Sequence, residues 1–111
     1  MAVGVLITMP EVEKQHYDRM NRHMFGRSRR EPVDTPDGLL VHSAGPMPDG
    51  WYVYEIWASR EDFERFDDEQ ITPAARTVIG AGVPEKDVRF FEIDALVSVL
   101  PGPADLRSGT R

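Results

Sequence analysis

The sequence predicts an α+β fold, with a four-stranded antiparallel sheet that carries its helices on one face. The order of elements is strand, helix, strand, strand, helix, strand, which is the ferredoxin-like βαββαβ pattern. The clearest strand, Trp51 to Trp57, has large side chains on both of its faces, so neither face is built for water. Because the helices cover one face, a second copy of the chain is expected to cover the other.

The N-terminal part of the chain supplies a strand, a helix and a loop. Apolar side chains on both faces of Val3 to Met9 predict a central strand. Apolar residues at helical spacing between Glu11 and Met24 predict the first helix, which Gly26 is placed to end. Arg27 to Gly38 is rich in proline, aspartate and arginine, which is typical of a long exposed loop.

Dense turn chemistry in the middle of the chain predicts a hairpin. Leu39 to Ala44 forms the second strand, and the turn residues after it lead into the third strand at Trp51 to Trp57. Ser59 is placed to cap the second helix. A further helix-start signal predicts that this helix is kinked or split near Gln70 to Pro73.

The C-terminal part predicts one more strand and a tail. Val88 to Leu100 is expected to form a long final strand. Residues 101–111 are mostly proline, glycine and small or polar residues that cannot support a core, so a disordered tail is expected. With 111 residues in all, the chain is expected to form one domain over residues 1–100.

A dimer is expected because of the sheet face that no helix covers. That face is expected to display Trp51, Val53 and Trp57, an apolar patch that a monomer would rarely leave open. Pairing two sheets face to face would remove the patch from water.

Composition excludes several classes of function. The chain has no cysteine, which excludes disulfides, thiolate nucleophiles and iron–sulfur clusters. Its net charge of −6 argues against nucleic acid as a partner, because phosphate binding draws on lysine and arginine. No apolar run approaches the roughly 20 residues of a membrane helix, and the apolar N-terminal run is too short for a secretory signal. A cytoplasmic protein without a membrane partner is therefore expected.

Five arginines lie at the end of the first helix and in the loop that follows it. Two interpretations of this cluster stay open: a solvated face with a mobile loop, or a site for an anionic ligand or for a partner's acidic face. The cluster consists of Arg19, Arg22, Arg27, Arg29 and Arg30.

Short motifs between Ala2 and about Leu96 resemble the dimeric α+β barrel superfamily. They are Gly38-Leu39-Leu40-Val41-His42 with Ala44-Gly45-Pro46, Asp49-Gly50-Trp51, Trp57-Ala58-Ser59 leading into Phe63-Glu64-Arg65-Phe66, Pro73, and Phe91-Glu92-Ile93-Asp94. The chain resembles the antibiotic-biosynthesis-type monooxygenases of this superfamily and its uncharacterised actinobacterial members. The resemblance implies a homodimer with joined sheets, and a cavity in each subunit between the sheet and its own helices or loops.

The resemblance also bears on individual residues. Trp57 matches an aromatic strand position that lines the cavity in haem-degrading relatives. Those relatives bind haem through a histidine of the second helix, and Asp62 to Gly80 contains no histidine, so haem degradation is not expected. Related actinobacterial chains often carry histidine where this chain has Asp94.

The register of the hairpin decides which side chains share a site. A turn at Asp49-Gly50 would set His42 opposite Trp57 and Ala44 opposite Glu55. That register puts an imidazole, a carboxylate and an indole on one face of the sheet. A turn of odd length would break this alignment.

His42 is the candidate general base or acid, because the pKa of an imidazole ordinarily lies near neutrality. Glu55 or Asp94 is expected to orient or tune it. The structural alternative is a histidine hydrogen-bonded to a carboxylate in a core or an interface. The candidate catalytic set is therefore His42, Glu55 and Asp94.

Candidate ligand contacts are mainly aromatic and apolar side chains that would face a cavity. Their alternative explanation is packing in a core or an interface. A metal site of His16, His42 and a carboxylate has suitable ligand types but no spacing signature, so no metal is expected. The candidate ligand-binding set is Trp57, Val53, Trp51, His16, Tyr17 and Phe66.

Two functions are compatible with these residues. The first is a cofactor-independent oxygenase that holds an aromatic or polyketide-like molecule against Trp57, while His42 takes a proton and leaves an anion that reacts with oxygen. The sequence has no glycine-rich nucleotide loop, and no cofactor is expected. The second is a non-catalytic homodimer that binds a small metabolite or serves as an interaction module.

Overall fold

The computed structural model describes residues 1–80 and 85–97. The elements follow the predicted order, with a 3-10 turn in the loop after the first helix and a π-helical turn between the last two helices. They are β1 (Val3–Pro10), α1 (Lys14–Phe25), the 3-10 turn (Pro32–Asp34), β2 (Leu39–Met47), β3 (Gly50–Trp57), α2 (Arg60–Phe66), the π-helical turn (Asp67–Ile71), α3 (Thr72–Val78) and β4 (Asp87–Glu92).

The strands form a single antiparallel sheet in the order β2-β3-β1-β4. β1 pairs with β3 on one side and with β4 on the other, so the first strand is central, as predicted. The helices lie on one face of the sheet, where the rings of Phe63 and Phe66 pack against Trp57. The predicted α+β class and ferredoxin-like topology are confirmed.

The two faces of β3 are assigned differently from the prediction. Trp51, Val53 and Trp57 were expected on the uncovered face, and this expectation is wrong, because all three are buried on the face that the helices cover. The alternation of a strand then turns Tyr52, Tyr54 and Ile56 outward. We call the uncovered side the open face. Its apolar side chains include Leu6, Val41, Tyr54, Ile56 and Phe91.

The hairpin also differs in register. Its two-residue turn is Pro48-Asp49, so Met47 pairs with Gly50 and His42 lies opposite Glu55 instead of Trp57. The shift is two residues, and a shift of two keeps every side chain on its own face. The predicted grouping of imidazole, carboxylate and indole on one face therefore holds although the predicted pairs are wrong.

The helix ends follow the predicted chemistry. Gly26 ends α1 with φ of 80°, and its N–H donates to the carbonyl of Arg22. The Ser59 hydroxyl accepts from the backbone N–H of Asp62 at 3.1 Å. The interruption expected near Gln70 to Pro73 takes the form of the π-helical turn between α2 and α3.

The final strand is shorter than predicted. β4 ends at Glu92, opposite Val3, because β1 begins there and offers no further strand partner. One more bond follows, from the Ile93 N–H to the Ala2 carbonyl at 3.1 Å. The rest of the predicted strand beyond Val97, the domain boundary at residue 100 and the tail over residues 101–111 lie outside the described residues. In the described part of the chain, no helix is both long enough and apolar enough to cross a membrane.

Candidate active site

A cavity of about 410 Å³ lies between the covered face of the sheet and the helices. Most of its wall is apolar, which suits the body of an organic ligand. Its apolar lining comes from Ile7, Met9, Val12, Met20, Met24, Trp51, Val53, Phe63, Phe66, Ile71, Ala75 and Ile79. The polar groups discussed below interrupt this lining.

A histidine–carboxylate pair lies in the cavity wall. His42 on β2 and Glu55 on β3 are directly opposite each other, and His42 Nδ1 is 2.6 Å from Glu55 Oε2. Glu55 is buried, and its other oxygen, Oε1, accepts from Trp57 Nε1 at 2.9 Å. Because both oxygens have donors, the carboxylate is held in place and holds the imidazole in turn.

Arg30 brings a positive charge to this pair. Its Nη1 lies 3.7 Å from Glu55 Oε2 and 3.0 Å from His42 Nδ1, and its side chain is only 10% exposed. The guanidinium also lies 4.8 Å from the centre of the Phe25 ring and donates to the Asp34 carbonyl at 3.4 Å. One member of the arginine cluster therefore belongs to the site, where it offsets the buried charge of Glu55.

Tyr17 contacts the other nitrogen of the imidazole. Its hydroxyl oxygen is 2.5 Å from His42 Nε2, and the two rings are nearly parallel. We assign the Nδ1–H tautomer to His42, because Nδ1 lies closer to the acceptor Glu55 Oε2, at 2.6 Å, than to the donor Arg30 Nη1, at 3.0 Å. Nε2 then accepts from the Tyr17 hydroxyl. Burial raises the pKa of the Tyr17 phenol, so the phenol keeps its proton at neutral pH.

Most of the predicted ligand contacts do line the cavity. Trp51, Val53, His16, Tyr17 and Phe66 are in its wall. His16 has a second task, since its Nδ1 accepts from the Glu13 N–H at 2.9 Å at the start of α1.

Trp57 lies behind the wall. It is fully buried, and its ring lies 5.9 Å from that of Phe63 and 5.7 Å from that of Phe66. The structure therefore gives it contact with Glu55 and with these rings, and none with the space of the cavity.

Asp94 is not part of the site. It is exposed and follows the end of β4, which is the edge strand opposite to β2. The prediction that it orients or tunes His42 is wrong, because the width of the sheet separates them. Within residues 1–80 and 85–97, no group of three or more histidine, aspartate or glutamate side chains could hold a metal ion.

Two features of the site were not predicted from the sequence. Tyr17 was a candidate ligand contact but not a partner of His42, and the cluster that contains Arg30 had no assigned role. A further feature is Trp51 Nε1, a buried donor that has no hydrogen-bond partner in the described part of the chain. Such a donor is costly unless a ligand or water accepts from it.

Comparisons with solved structures agree with this fold. A proposed antibiotic biosynthesis monooxygenase of Deinococcus radiodurans is 12% identical with a TM-score of 0.57, and the match covers 90% of this chain and 99% of that one. SnoaB, a cofactor-independent oxygenase of Streptomyces nogalater, is 13% identical with a TM-score of 0.52 over 90% and 96% of the two chains. The haem degrader MhuD of Mycobacterium tuberculosis is 18% identical with a TM-score of 0.51 over 86% and 99%.

No protein-family model and no curated protein matches the sequence. At these low identities the solved structures show a shared fold, and one fold hosts many reactions. Membership of the actinobacterial branch stays a prediction. The order of the strands, the helices on one face and these likenesses together show that the chain shares its ferredoxin-like α+β fold with these solved monooxygenase-like structures.

Proposed function

We propose that the protein is a cofactor-independent, monooxygenase-like enzyme that acts on an aromatic or polyketide-like small molecule. The observation that carries the proposal is the His42–Glu55 pair, with a distance of 2.6 Å, in the wall of a largely apolar cavity. A buried carboxylate that fixes one nitrogen of an imidazole leaves the other nitrogen as a base.

The reaction would begin with removal of a proton from the bound molecule. The apolar lining holds the rings, His42 receives the proton at Nε2, and Glu55 stabilises the imidazolium through Nδ1–H. The positive charge of Arg30 favours the negative charge that develops on the ligand, and the carboxylate of Glu55 offsets its repulsion of the imidazolium. The resulting electron-rich anion then reacts with molecular oxygen.

The solved structures with this fold include both reaction classes, and the sequence favours the oxygenase over haem chemistry. SnoaB, which has the same fold, is a cofactor-independent oxygenase. MhuD shares the fold as a haem degrader, but the helical region from Asp62 to Gly80 of this chain supplies no histidine. That region supplies the cavity with side chains such as Phe63, Phe66 and Ile71.

A second candidate function is non-catalytic binding of a small metabolite. The observation that favours it is the Tyr17 hydroxyl, which already occupies His42 Nε2 at 2.5 Å. On this view the Tyr17, His42 and Glu55 network is a satisfied polar element of the cavity wall.

We also infer that a second copy of the chain covers the open face. Val41 and Phe91 are 41% and 47% exposed there, beside Leu6, Tyr54 and Ile56. A two-fold pairing would place the same apolar patch of each copy against that of the other, which is self-complementary. The resemblance to dimeric proteins supports this partner. Location in the cytoplasm stays a prediction.

His42→Ala tests the proposed reaction. Wild-type protein is offered a panel of hydroxylated naphthalenes and anthraquinones, and oxygen uptake and ligand binding are both measured. We expect the variant to lose about 100-fold or more of the oxygen uptake rate, because a general base contributes that much. Ligand binding and the oligomeric state should be unchanged.

His23→Ala is the matched control, because His23 is exposed on α1 and does not line the cavity. Oxygen uptake that survives in His42→Ala contradicts the proposed base. Binding without any uptake by the wild-type protein supports the second candidate function instead.

A further inference from the structure

Tyr17 and His42 both line the cavity, and the Tyr17 hydroxyl contacts His42 Nε2, so the position of Tyr17 bears on how a proton reaches the base. We infer that Tyr17 is itself a catalytic residue, which takes the proton of a hydroxylated aromatic substrate and passes its own proton to His42. This inference rests on the proposed function and adds to it the group that touches the substrate.

The surroundings of the imidazole support the relay. Nδ1 faces Glu55 Oε2 at 2.6 Å and Arg30 Nη1 at 3.0 Å. Nε2 faces the Tyr17 hydroxyl at 2.5 Å and Arg30 Nη1 at 3.5 Å. A guanidinium gives up no proton and accepts none at neutral pH, whereas a hydroxyl both donates and accepts. Of the described groups beside Nε2, Tyr17 is therefore the one that can relay a proton.

The position of the phenol also suits contact with a ligand. Tyr17 lines the cavity, and its ring is held against Trp51, with 5.3 Å between the ring centres. A substrate that approached Nε2 directly would have to displace the Tyr17 hydroxyl. A substrate hydroxyl that donates to the Tyr17 oxygen would leave the contact with His42 in place and would lie beside Asn21, whose side chain also hydrogen-bonds to Tyr17.

The transfer balances without an oxidant or a metal. The O–H bond of the substrate breaks, and its proton forms a bond to the Tyr17 oxygen. The original O–H bond of Tyr17 breaks in the same step, and that proton forms a bond to His42 Nε2. The products are a substrate anion, a neutral Tyr17 and an imidazolium whose Nδ1–H donates to Glu55.

Burial supports the concerted order of these transfers. It raises the pKa of Tyr17, which disfavours a standing tyrosinate as the base. The phenol therefore acts while neutral, by exchanging one proton for another.

If Tyr17 relays the proton, Tyr17→Phe should slow ionisation of the bound molecule. If the Tyr17 hydroxyl only occupies His42 Nε2, the change should leave ionisation unchanged or make it faster. The probe is 2-naphthol, because its anion has its own absorbance spectrum and shows directly whether the bound molecule is ionised. For wild-type protein we expect ionised 2-naphthol in the cavity at neutral pH. For Tyr17→Phe we expect a loss of about 100-fold or more in the rate of ionisation, with the affinity changed less than about threefold.

Two further variants and two further measurements complete the test. Tyr52→Phe is the matched control, because Tyr52 lies on the opposite face of the sheet, and it should behave as wild type. His42→Gln should lose ionisation as Tyr17→Phe does. Circular dichroism checks that each variant is folded, and saturation binding gives its affinity for 2-naphthol.

Each outcome separates the inference from the proposed function. Unchanged or faster ionisation in Tyr17→Phe, together with loss in His42→Gln, overturns the relay and keeps the base. Unchanged ionisation in His42→Gln overturns the proposed base and the relay with it. A wild-type protein that binds 2-naphthol only in its neutral form, or does not bind it, contradicts both.

Discussion

At the scale of single residues, the geometry of the site depends on Glu55. Its carboxylate is buried on the covered face of β3 and accepts from Trp57 on one oxygen and from His42 on the other. Arg30 supplies the nearby positive charge that makes a buried carboxylate tolerable. Loss of any one donor leaves part of a buried charge without a partner, which costs more than an exposed contact would.

Trp57→Phe tests this dependence. The change keeps an aromatic ring but removes the N–H that donates to Glu55 Oε1. We expect the free energy of unfolding to fall by about 1–3 kcal/mol, because a buried acceptor loses its donor. Urea denaturation measures the change.

Trp51→Phe is the matched control for that experiment. It also replaces a buried indole by a phenyl ring, but Trp51 Nε1 has no hydrogen-bond partner in the described part of the chain. A smaller loss of stability is expected there. Equal losses in the two variants would mean that the bond to Glu55 contributes nothing.

At the scale of elements, the sequence predicted the strands and α-helices of residues 1–80 and 85–97 but misplaced the register of the hairpin. The predicted turn, Asp49-Gly50, and the observed turn, Pro48-Asp49, are both made of turn-forming residues, so local chemistry did not separate them. Each side chain of the hairpin still shares a face with the predicted neighbours, because the register shift is an even number of residues. The misassigned face of Trp51 and Trp57 had another origin, since both faces of β3 carry large residues and the pattern alone did not show which one the helices cover.

The contacts of Tyr17 and Arg30 with His42 were beyond prediction from the sequence for a different reason. Both depend on how α1 and the loop after it lie against the sheet. Residue spacing within an element gives the face of a side chain, but not the path of a loop in space. The opposition of His42 and Glu55 needed only the register, and was missed by two residues.

Two glycines with positive φ give a prediction at this scale. Gly26 has φ of 80° and nothing within 4 Å of an added Cβ, whereas at Gly38, with φ of 90°, an added Cβ would clash with the Asp62 side chain. Gly26→Ala should lower the free energy of unfolding by about 1–2 kcal/mol, because of the strained backbone conformation alone. Gly38→Ala should lower the free energy of unfolding by clearly more in the same urea denaturation series, because the clash with Asp62 adds to the backbone strain. A Gly38→Ala variant as stable as Gly26→Ala would contradict the close approach of Gly38 to the Asp62 side chain of α2.

At the scale of the whole molecule, the open face is the feature that a single chain leaves unexplained. The helices already cover Trp51 and Trp57, so these residues need no partner chain. The apolar side chains that a partner would cover are those that point outward from β1, β2, β3 and β4. An apolar patch of this kind on a sheet marks an interaction surface. Since the cavity lies on the other face, loss of the dimer should leave the His42–Glu55 pair in place.

Val41→Glu tests the inferred dimer. The change puts a charge on the open face, where burial of an unpaired carboxylate is costly. Sedimentation velocity at micromolar concentration should show a dimer for wild-type protein and a monomer for the variant. Val33→Glu makes the same change at a position that is 77% exposed in the loop before β2, and it should remain dimeric. A monomeric wild-type protein would exclude the inferred partner.

Nuclear magnetic resonance of histidine-labelled protein can show whether His42 takes a proton from an aromatic molecule in the cavity. The chain has three histidines, so His42 can be assigned with the His42→Ala and His23→Ala variants. Without ligand, we expect the Nδ1–H tautomer of His42, in which Nδ1 donates to Glu55 and Nε2 accepts from Tyr17. On addition of 2-naphthol, its two ring nitrogens should both become protonated while His23 is unchanged. A His42 that stays neutral when 2-naphthol fills the cavity would contradict the proposed proton transfer to His42.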